Sequence, residues 1–541
     1  MGPPAFSKFI LKEKDSWLPF ARSRECLGLV NLGARSQPLL RHRPRIISGE
    51  MQSPLSANRA AQLDSVVSAR RAFAVTTGKA VRGGIRRLGK GNGTAVPGAV
   101  ALAIDPGMLA GLAAEIPRGA MLITGSNGKG TTCRMLAEVM RAAGLHPILN
   151  REGSNQLSGL ATTMVACSGA SGHLRTDEQA IGLFEVDEGS IPRILRQIAR
   201  PNVLVFTNVF RDQLDRYVEP AYVTSMLERA MRSLPADTTL VLNADDPRVA
   251  YLAPDLKNPR LYFGIEDTDR GRDGIDPTSD FPRCPRCGGE LAYRCVFYAH
   301  LGHWTCHGCR LARPVPHVRL TKIDLLGSAS SRVQAATPTA EMVVEVPFPG
   351  LYNTYNAAAA LAAATAGQLP DHAFSAIERV TPSSFRMERV DVAGRDVYLT
   401  LAKNANGYTE VLRAVLGDRQ PKRIMLGLNT CDGKQPDTSW IWDVDFDSLC
   451  GLIPAPVIAG NRAHDLTVRL KYAGWLGTTE ATKLTTEPDP VRAFQLALAR
   501  APAGEPLWVV STSIVLQEVR CWLRRQGYVR EVWQERGGAD L

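Results

Sequence analysis

Residues 120–144 read AMLITGSNGKGTTCRMLAEVMRAAG: an apolar run, a glycine-rich turn and a segment with helical spacing follow one another directly. Few folds accept that succession, and the commonest is a parallel strand feeding a helix through a phosphate-binding turn. Glycines let consecutive backbone N–H groups converge on phosphate oxygens, and the following helix N-terminus adds favourable partial charge. The candidate cradle is Gly125, Asn127, Gly128, Lys129, Gly130, Thr131 and Thr132. Lys129 would neutralise the outer phosphates, and a threonine hydroxyl after it can ligate magnesium. Against the pattern G-x-x-x-x-G-K-[ST] the match is partial, because Ile123 replaces the first glycine and Gly130 is inserted before the threonine. The bland alternative is a glycine turn that binds nothing.

Short apolar runs alternate with helical patterns from about residue 120 onward, which predicts an α/β architecture with parallel sheets. The runs AMLITG, IGLFEVD, NVLVFTNV and TTLVLNADD each end in polar residues, where open α/β sheets place their active crevice. LYNTYNAAAALAAATAG at 351–367 predicts a helix stopped by glycine. From Ser384 a second series, DVYLTLAK, RIMLGLN, PVIAG and PLWVVSTS, predicts a separate Rossmann-like α/β domain over 384–541, with its boundary in TPSSFRMER. Residues 61–383 would form the central ATP-binding domain. A chain of 541 residues is long enough for about three or four domains.

The formal charge of +11 is concentrated at one end: residues 1–100 hold 17 of the 64 Lys/Arg and 5 of the 53 Asp/Glu, leaving 47 against 48 elsewhere. That describes a basic arm, which argues against nucleic acid as a partner of the body. Residues 1–60 lack apolar periodicity and are expected to be a disordered extension, with Met51 opening cleaner sequence. No apolar stretch approaches the roughly 18 residues of a membrane span, and no secretory h-region is visible. Scattered cysteines favour a reducing cytoplasm.

Magnesium needs hard oxygen ligands. FEVDEGS supplies Glu185, Asp187 and Glu188 at a strand end, and TNVFRDQLDRY places Thr207, Asn208, Asp212 and Asp215 at another. A different chemistry lies further on, where Cys284-x-x-Cys287 and Cys306-x-x-Cys309 are separated by eighteen residues. Two such knuckles predict a tetrahedral four-thiolate zinc site, structural because no position stays open, in a ribbon spanning about 280–315. Cys295, His303 and His307 are less regular alternatives.

TGSNGKGTT, the glutamate of FEVDE, TNVFRDQLDRY, LNADDP and the asparagines of GLYNTYNAAAA occur in an order that resembles the Mur ligase superfamily, whose members activate a carboxylate with ATP and attack it with an amine. The resemblance implies that Lys129 and Thr131 hold phosphates and magnesium, that Glu185 is a metal ligand, and that Asn353 and Asn356 flank the adenine. Asn243, Asp245 and Asp246 resemble a further strand end of that ATPase domain. Gln213 departs from a histidine found in many members, which puts a second metal site in question.

The inserted ribbon, with FRMERVDVAGRDVYLTLAKNANGYTEVLRAV and DTSWIWDVDFD after it, resembles one amidating branch of the superfamily over roughly residues 60–530. That branch pairs a ligase subunit with a GatD-type glutaminase and acts on the membrane-borne lipid II at the inner membrane face. It implies amidation of the α-carboxylate of D-glutamate, a heterodimer, and an aspartate, Asp437 or Asp443, lent to the partner's Cys–His pair. Lys403 and Asn404 would contact ATP, and Trp440 and Trp442 suit a half-buried strand or an interface anchor. Competing readings are a folylpolyglutamate-synthase-like ligase, which shares GSNGKGT, and a zinc-ribbon nucleic-acid-binding protein.

Overall fold

The computed structural model describes residues 54–529 except 88–93, 151–152, 212–219, 275, 277–278, 280–282, 382–385, 418–419, 431–436 and 478–482. The expected extension therefore lies outside the described residues up to 53, and helix Pro54–Arg87 begins the described chain. The DxxD segment with Asp212, Gln213 and Asp215 also lies outside them.

Six strands appear in succession: β1 (Ala120–Thr124), β2 (His146–Leu149), β3 (Ala180–Glu185), β4 (Val203–Phe206), β5 (Thr239–Asn243) and β6 (Arg260–Ile265). After the inserted hairpin β7 (Leu291–Tyr298) and β8 (Leu301–Cys306) come β9 (Val318–Leu326), β10 (Ser330–Ala336) and β11 (Glu341–Val346). The described strands form a nine-stranded sheet ordered β11-β10-β9-β6-β5-β4-β1-β3-β2, parallel from β2 to β9 and antiparallel through β10 and β11. β1 lies between β3, with Leu122 opposite Phe184, and β4, with Ile123 opposite Val205. The chain leaves β1 for one side of the sheet and later crosses to the other, so a crevice opens at the carboxyl end of β1.

Every residue of β1 is buried, because helices cover both faces as parallel sheets require. Met121 and Ile123 pack with helices Lys129–Ala142 and Leu351–Ala366, whereas Leu122 packs with helices Val96–Ile104 and Leu157–Cys167 on the other face. The alanine run has a steric cause: Ala357 to Ala364, apart from Leu361, are all alanine and all inaccessible, since this helix is enclosed on every side. Gly367 caps its C-terminus, where the sequence places the stop.

The second sheet joins β12 (Arg386–Asp391), β13 (Asp396–Leu401), β14 (Arg423–Gly427), β15 (Val457–Ala459), β16 (Thr485–Thr486) and β17 (Leu507–Ser511) in the order β12-β13-β17-β14-β15-β16. All its pairings are parallel except β12 with β13. The four apolar runs anticipated after Ser384 are β13, β14, β15 and β17.

The crossing of helices Val96–Ile104 and Leu157–Cys167 is close enough to demand glycine: a Cβ on Gly98 would meet Ser158 O at 2.1 Å and the Thr162 nitrogen at 2.5 Å. The Gly98 N–H also donates to Thr162 Oγ1 at 2.9 Å. Gly98→Ala is expected to destabilise the central domain by about 1–3 kcal/mol through overpacking. A lowered urea midpoint checks it; an unchanged midpoint would mean that the crossing tolerates separation.

Candidate active site

The turn after β1 is built by two glycines with positive φ, Gly125 at 129° and Gly128 at 88°. Neither position has room for a side chain. A Cβ on Gly125 would fall 2.2 Å from Thr207 Oγ1, and one on Gly128 would fall 2.0 Å from Asn356 Oδ1. The loop is held from the end of β4: Asn208 O accepts from the Ser126 N–H at 2.9 Å, and Asn208 Oδ1 accepts from the Asn127 N–H at 2.8 Å. Thr207 Oγ1 donates to Asn127 O at 2.8 Å. The TN pair of TNVFRD is thus a clamp on the phosphate loop.

Lys129 opens helix Lys129–Ala142 and is 6% exposed. Its ammonium donates to the carbonyls of Gly125 and Ser126 and pairs with Glu188 Oε2 at 3.2 Å. Burial works against ionisation of Glu188, but the charges of Lys129 and Lys403 prevail and hold its carboxyl below the usual range. Glu185, at the end of β3, is buried; its Oε1 accepts from Asn155 Nδ2 at 3.1 Å, and Asn150 brackets its backbone on both sides. The structure therefore gives the two glutamates different surroundings, with Glu188 as the counterion of the loop lysine.

The loop faces the second domain. Asn127 Nδ2 donates to Asn404 Oδ1 at 3.4 Å and Asn404 Nδ2 donates to Asn127 Oδ1 at 3.2 Å, a reciprocal amide pair between the domains. Asn404 Oδ1 also accepts from the Gly407 N–H at 2.7 Å, capping helix Ala405–Leu416. Between the domains lies a cleft of about 720 Å³, open to solvent. Asn127, Gly128 and Thr131 line its loop end, and Asn353 and Asn356 line the helix Leu351–Ala366 side. Asn356 Nδ2 donates to Asn353 Oδ1 at 3.1 Å, and Thr132 Oγ1 lies at the limit of hydrogen bonding from Asn356 O, 3.5 Å.

Lys403, Asn406 and Glu410 come from the C-terminal side, and Tyr298, Phe348, Tyr352 and Met387 supply apolar surface. Burial pushes the Glu410 carboxyl up to about 7 despite its 2.7 Å contact with Arg413. Tyr298, Asn406 and Glu410 went unrecognised in the sequence. The Asn404 cap is a local signal that would have found two of them, since it sets the helix phase that brings Asn406, Glu410 and Arg413 to one face.

The other sequence candidates lie elsewhere. Asp245 and Asp246 are inaccessible and hold the inserted hairpin: Asp245 pairs with Arg313, and Asp246 Oδ2 lies 3.3 Å from His300 Nε2. Cys284, Cys287, Cys306 and Cys309 have their sulfurs within 4.8 Å of one another, with Cys284–Cys309 and Cys287–Cys306 both 3.5 Å apart. A tetrahedral shell with metal–sulfur bonds of about 2.3 Å has sulfurs about 3.8 Å apart, so the four residues fit such an ion. Neighbouring thiols diverge sharply: burial pushes Cys284 up to about 12, and the Cys309 N–H brings Cys306 down to about 7. Cys295 and His303 stand apart, His303 Nε2 being bonded to Ile265 O.

Asp437 is exposed, and the Ser439 N–H and hydroxyl, with Arg211 adding to them, hold it below the usual carboxylate range. Asp443 is exposed at the end of the 3-10 turn Ser439–Asp443, beside Trp442.

Residues 123–280 match the Mur ligase middle domain and residues 401–512 the MurT ligase C-terminal domain. The chain is 33% identical over 393 residues to the lipid II isoglutaminyl synthase (glutamine-hydrolyzing) subunit MurT of Streptococcus pneumoniae, covering 71% of this chain and 83% of that protein. It is 30% identical over 405 residues to the subunit of the same name from Staphylococcus aureus strain COL, covering 74% and 87%. Among solved structures, a pseudomurein peptide ligase type C from Methanothermus fervidus shares the fold with a TM-score of 0.56 at 20% identity, over 75% of this chain and 78% of that one. With relatives at 30% identity or more over most of both chains, the chain belongs to the MurT family of Mur ligases.

Proposed function

We propose that this chain is the ATP-dependent ligase subunit of a lipid II isoglutaminyl synthase, amidating the α-carboxylate of D-glutamate in the stem peptide to D-isoglutamine. The observation that carries it is the Lys129–Glu188 pair under the glycine loop, with Lys403 acting electrostatically on the same glutamate from the cleft that Gly128 and Thr131 line, in a chain that covers most of the MurT relatives' length. The γ-phosphoryl group passes to a carboxylate oxygen and ADP leaves. Ammonia then attacks the acyl carbon, the bond to phosphate breaks, and the nitrogen gives up a proton. Transfer between anions is limited by charge repulsion, which positioned cations and N–H groups relieve.

Lys129, the loop N–H groups of Gly128, Gly130 and Thr131, and Lys403 would bind and orient the phosphates. Asn353 and Asn356 would meet the base. Thr131 and Glu185 are the residues that would hold magnesium, which when bound adds charge neutralisation at the transferring group. The cysteine quartet would hold zinc, closed on four sides and therefore structural.

The partner is proposed to be a GatD-type glutaminase that docks on the C-terminal domain. Trp442, Tyr472 and Leu476 are 50%, 76% and 74% exposed, and the rings of Trp442 and Tyr472 meet at 5.5 Å with Arg469 over Trp442. Exposed aromatics backed by arginine have the composition of an interface anchor. Asp437 and Asp443 flank Trp442 in sequence and are both exposed, and the reading takes one of them to be lent to the partner's catalytic pair. No single helix among the described residues is long and apolar enough to cross a membrane; the reading takes lipid II to be met at the cytoplasmic membrane face.

Lys129→Ala is expected to lower ATP turnover with lipid II, glutamine and the co-expressed glutaminase by at least about 100-fold. Retained turnover would remove Lys129 from the phosphate site. Trp442→Ala is expected to weaken the glutaminase complex by about 10- to 100-fold while ATP binding stays intact. Isothermal titration of the two purified subunits measures this, and unchanged affinity would move the interface elsewhere.

A further inference from the structure

The inserted hairpin is unusual at its tip. Turns between strands ordinarily lie in water, yet Tyr298, Ala299, His300 and Leu301 are all at most 4% exposed. Ala299 adopts φ of 48°, a left-handed conformation that alanine rarely takes. Tyr298 reaches the interdomain cleft and packs edge-on against Tyr355 at 5.5 Å. Phe210 sits between the tip and the phosphate loop: its ring lies 5.8 Å from Tyr298 and 5.1 Å from His300, and its N–H donates to Ser126 Oγ at 3.0 Å. His300 faces Asp246, which accepts from the Val209 N–H in the loop after β4 and caps its own helix through the Arg248 and Val249 N–H groups.

The four cysteines occupy the opposite end of the same hairpin. β7 and β8 pair Leu291 with Cys306 at the open end and Tyr298 with Leu301 at the tip, about 23 Å away at the rise of a strand. An isolated two-stranded hairpin is marginal in water, and small modules need a staple. Cys284 and Cys287 precede the hairpin while Cys306 and Cys309 close it, so an ion held by all four ties both strands at their free ends.

We propose that the four-cysteine module is a positioning element of the nucleotide cleft: the metal tethers the hairpin, Tyr298 at its tip is a nucleotide-contacting wall, and His300 positions the phosphate loop through Phe210 and Asp246. This rests on the cleft being the nucleotide site. It gives the ribbon a role in ATP affinity, and none in nucleic-acid binding or in holding the glutaminase.

A fluorescent N-methylanthraniloyl ATP analogue with magnesium, titrated into the full chain co-purified with its glutaminase, tests it. Tyr298→Ala is expected to weaken binding about tenfold or more, with Tyr298→Phe close to wild type because the ring makes the contacts. Tyr298→Leu, which stays apolar and buried, is expected to weaken binding likewise and serves if the alanine variant unfolds. Cys309→Ser, shown metal-depleted by mass spectrometry, is expected to lose nucleotide affinity while still co-eluting with the glutaminase. In steady state the KM for ATP should rise while that for glutamine stays fixed, a split that general destabilisation would not produce. Wild-type affinity in Tyr298→Ala or in metal-free Cys309→Ser would overturn the ribbon's role alone. Failure of the wild-type complex to bind the analogue, or equal binding by Lys129→Ala, would instead overturn the nucleotide reading and the inference with it.

Discussion

A lysine ammonium almost sealed from water is tolerated only when its charge is met, since the penalty for burying an unpaired ion is several kcal/mol. Lys129 meets this demand with Glu188 and the carbonyls of Gly125 and Ser126, so the loop is wound around the ammonium. That geometry requires two left-handed glycines, a clamp from Thr207 and Asn208, and the close approach of Asn356. Remove the buried cation and the reason for this convergence goes with it.

The loop is completed from outside its own domain. Asn127 and Asn404 exchange amide hydrogen bonds across the cleft, and Arg413 ties Glu410 to Asp276 of the central domain. Asn404 must also cap its own helix, which fixes the orientation of the amide that Asn127 meets. Capping and domain contact are therefore one constraint, which also brings Lys403, the preceding residue, into the cleft and within electrostatic reach of Glu188.

What could be read without coordinates follows from how local each signal is. The strand, glycine turn and helix at 120–142 are legible because they are contiguous, and the cysteine quartet because two tight turns each supply a pair of thiols. The buried alanine helix, β1, β3, β4 and β5 of the first sheet and β13, β14, β15 and β17 of the second follow from apolar patterning, whereas the short or edge strands β2, β12 and β16, and β6 and β9 to β11, were not anticipated. The choice between Glu185 and Glu188 as the lysine's partner was not legible: both follow the same strand, and only the 3-10 turn Glu188–Ser190 aims one of them at Lys129. Tyr298 was hidden for a different reason, since a hairpin tip is expected in solvent and its burial depends on residues 50 to 90 positions away. Asp245 and Asp246 looked like site carboxylates at a strand end, and their partners Arg313 and His300 become neighbours only when the insertion folds back.

Activating a carboxylate with ATP makes an acyl phosphate, which water destroys as readily as an amine consumes it. A site for this chemistry must gather positive charge for the phosphoryl group and keep bulk water from the product. Neither domain does both: the central one holds the loop and Lys129, while the C-terminal one brings Lys403, Asn406 and Glu410 to the opposite wall. The second wall arrives on a separate sheet, so the charges of the loop and those of Lys403 and Glu410 reach the cleft from elements that are far apart in sequence. The two walls are joined at the glycine loop itself, where Asn127 and Asn404 exchange amide hydrogen bonds, so the contact that holds the sheets together at this point is also the one that orients the loop.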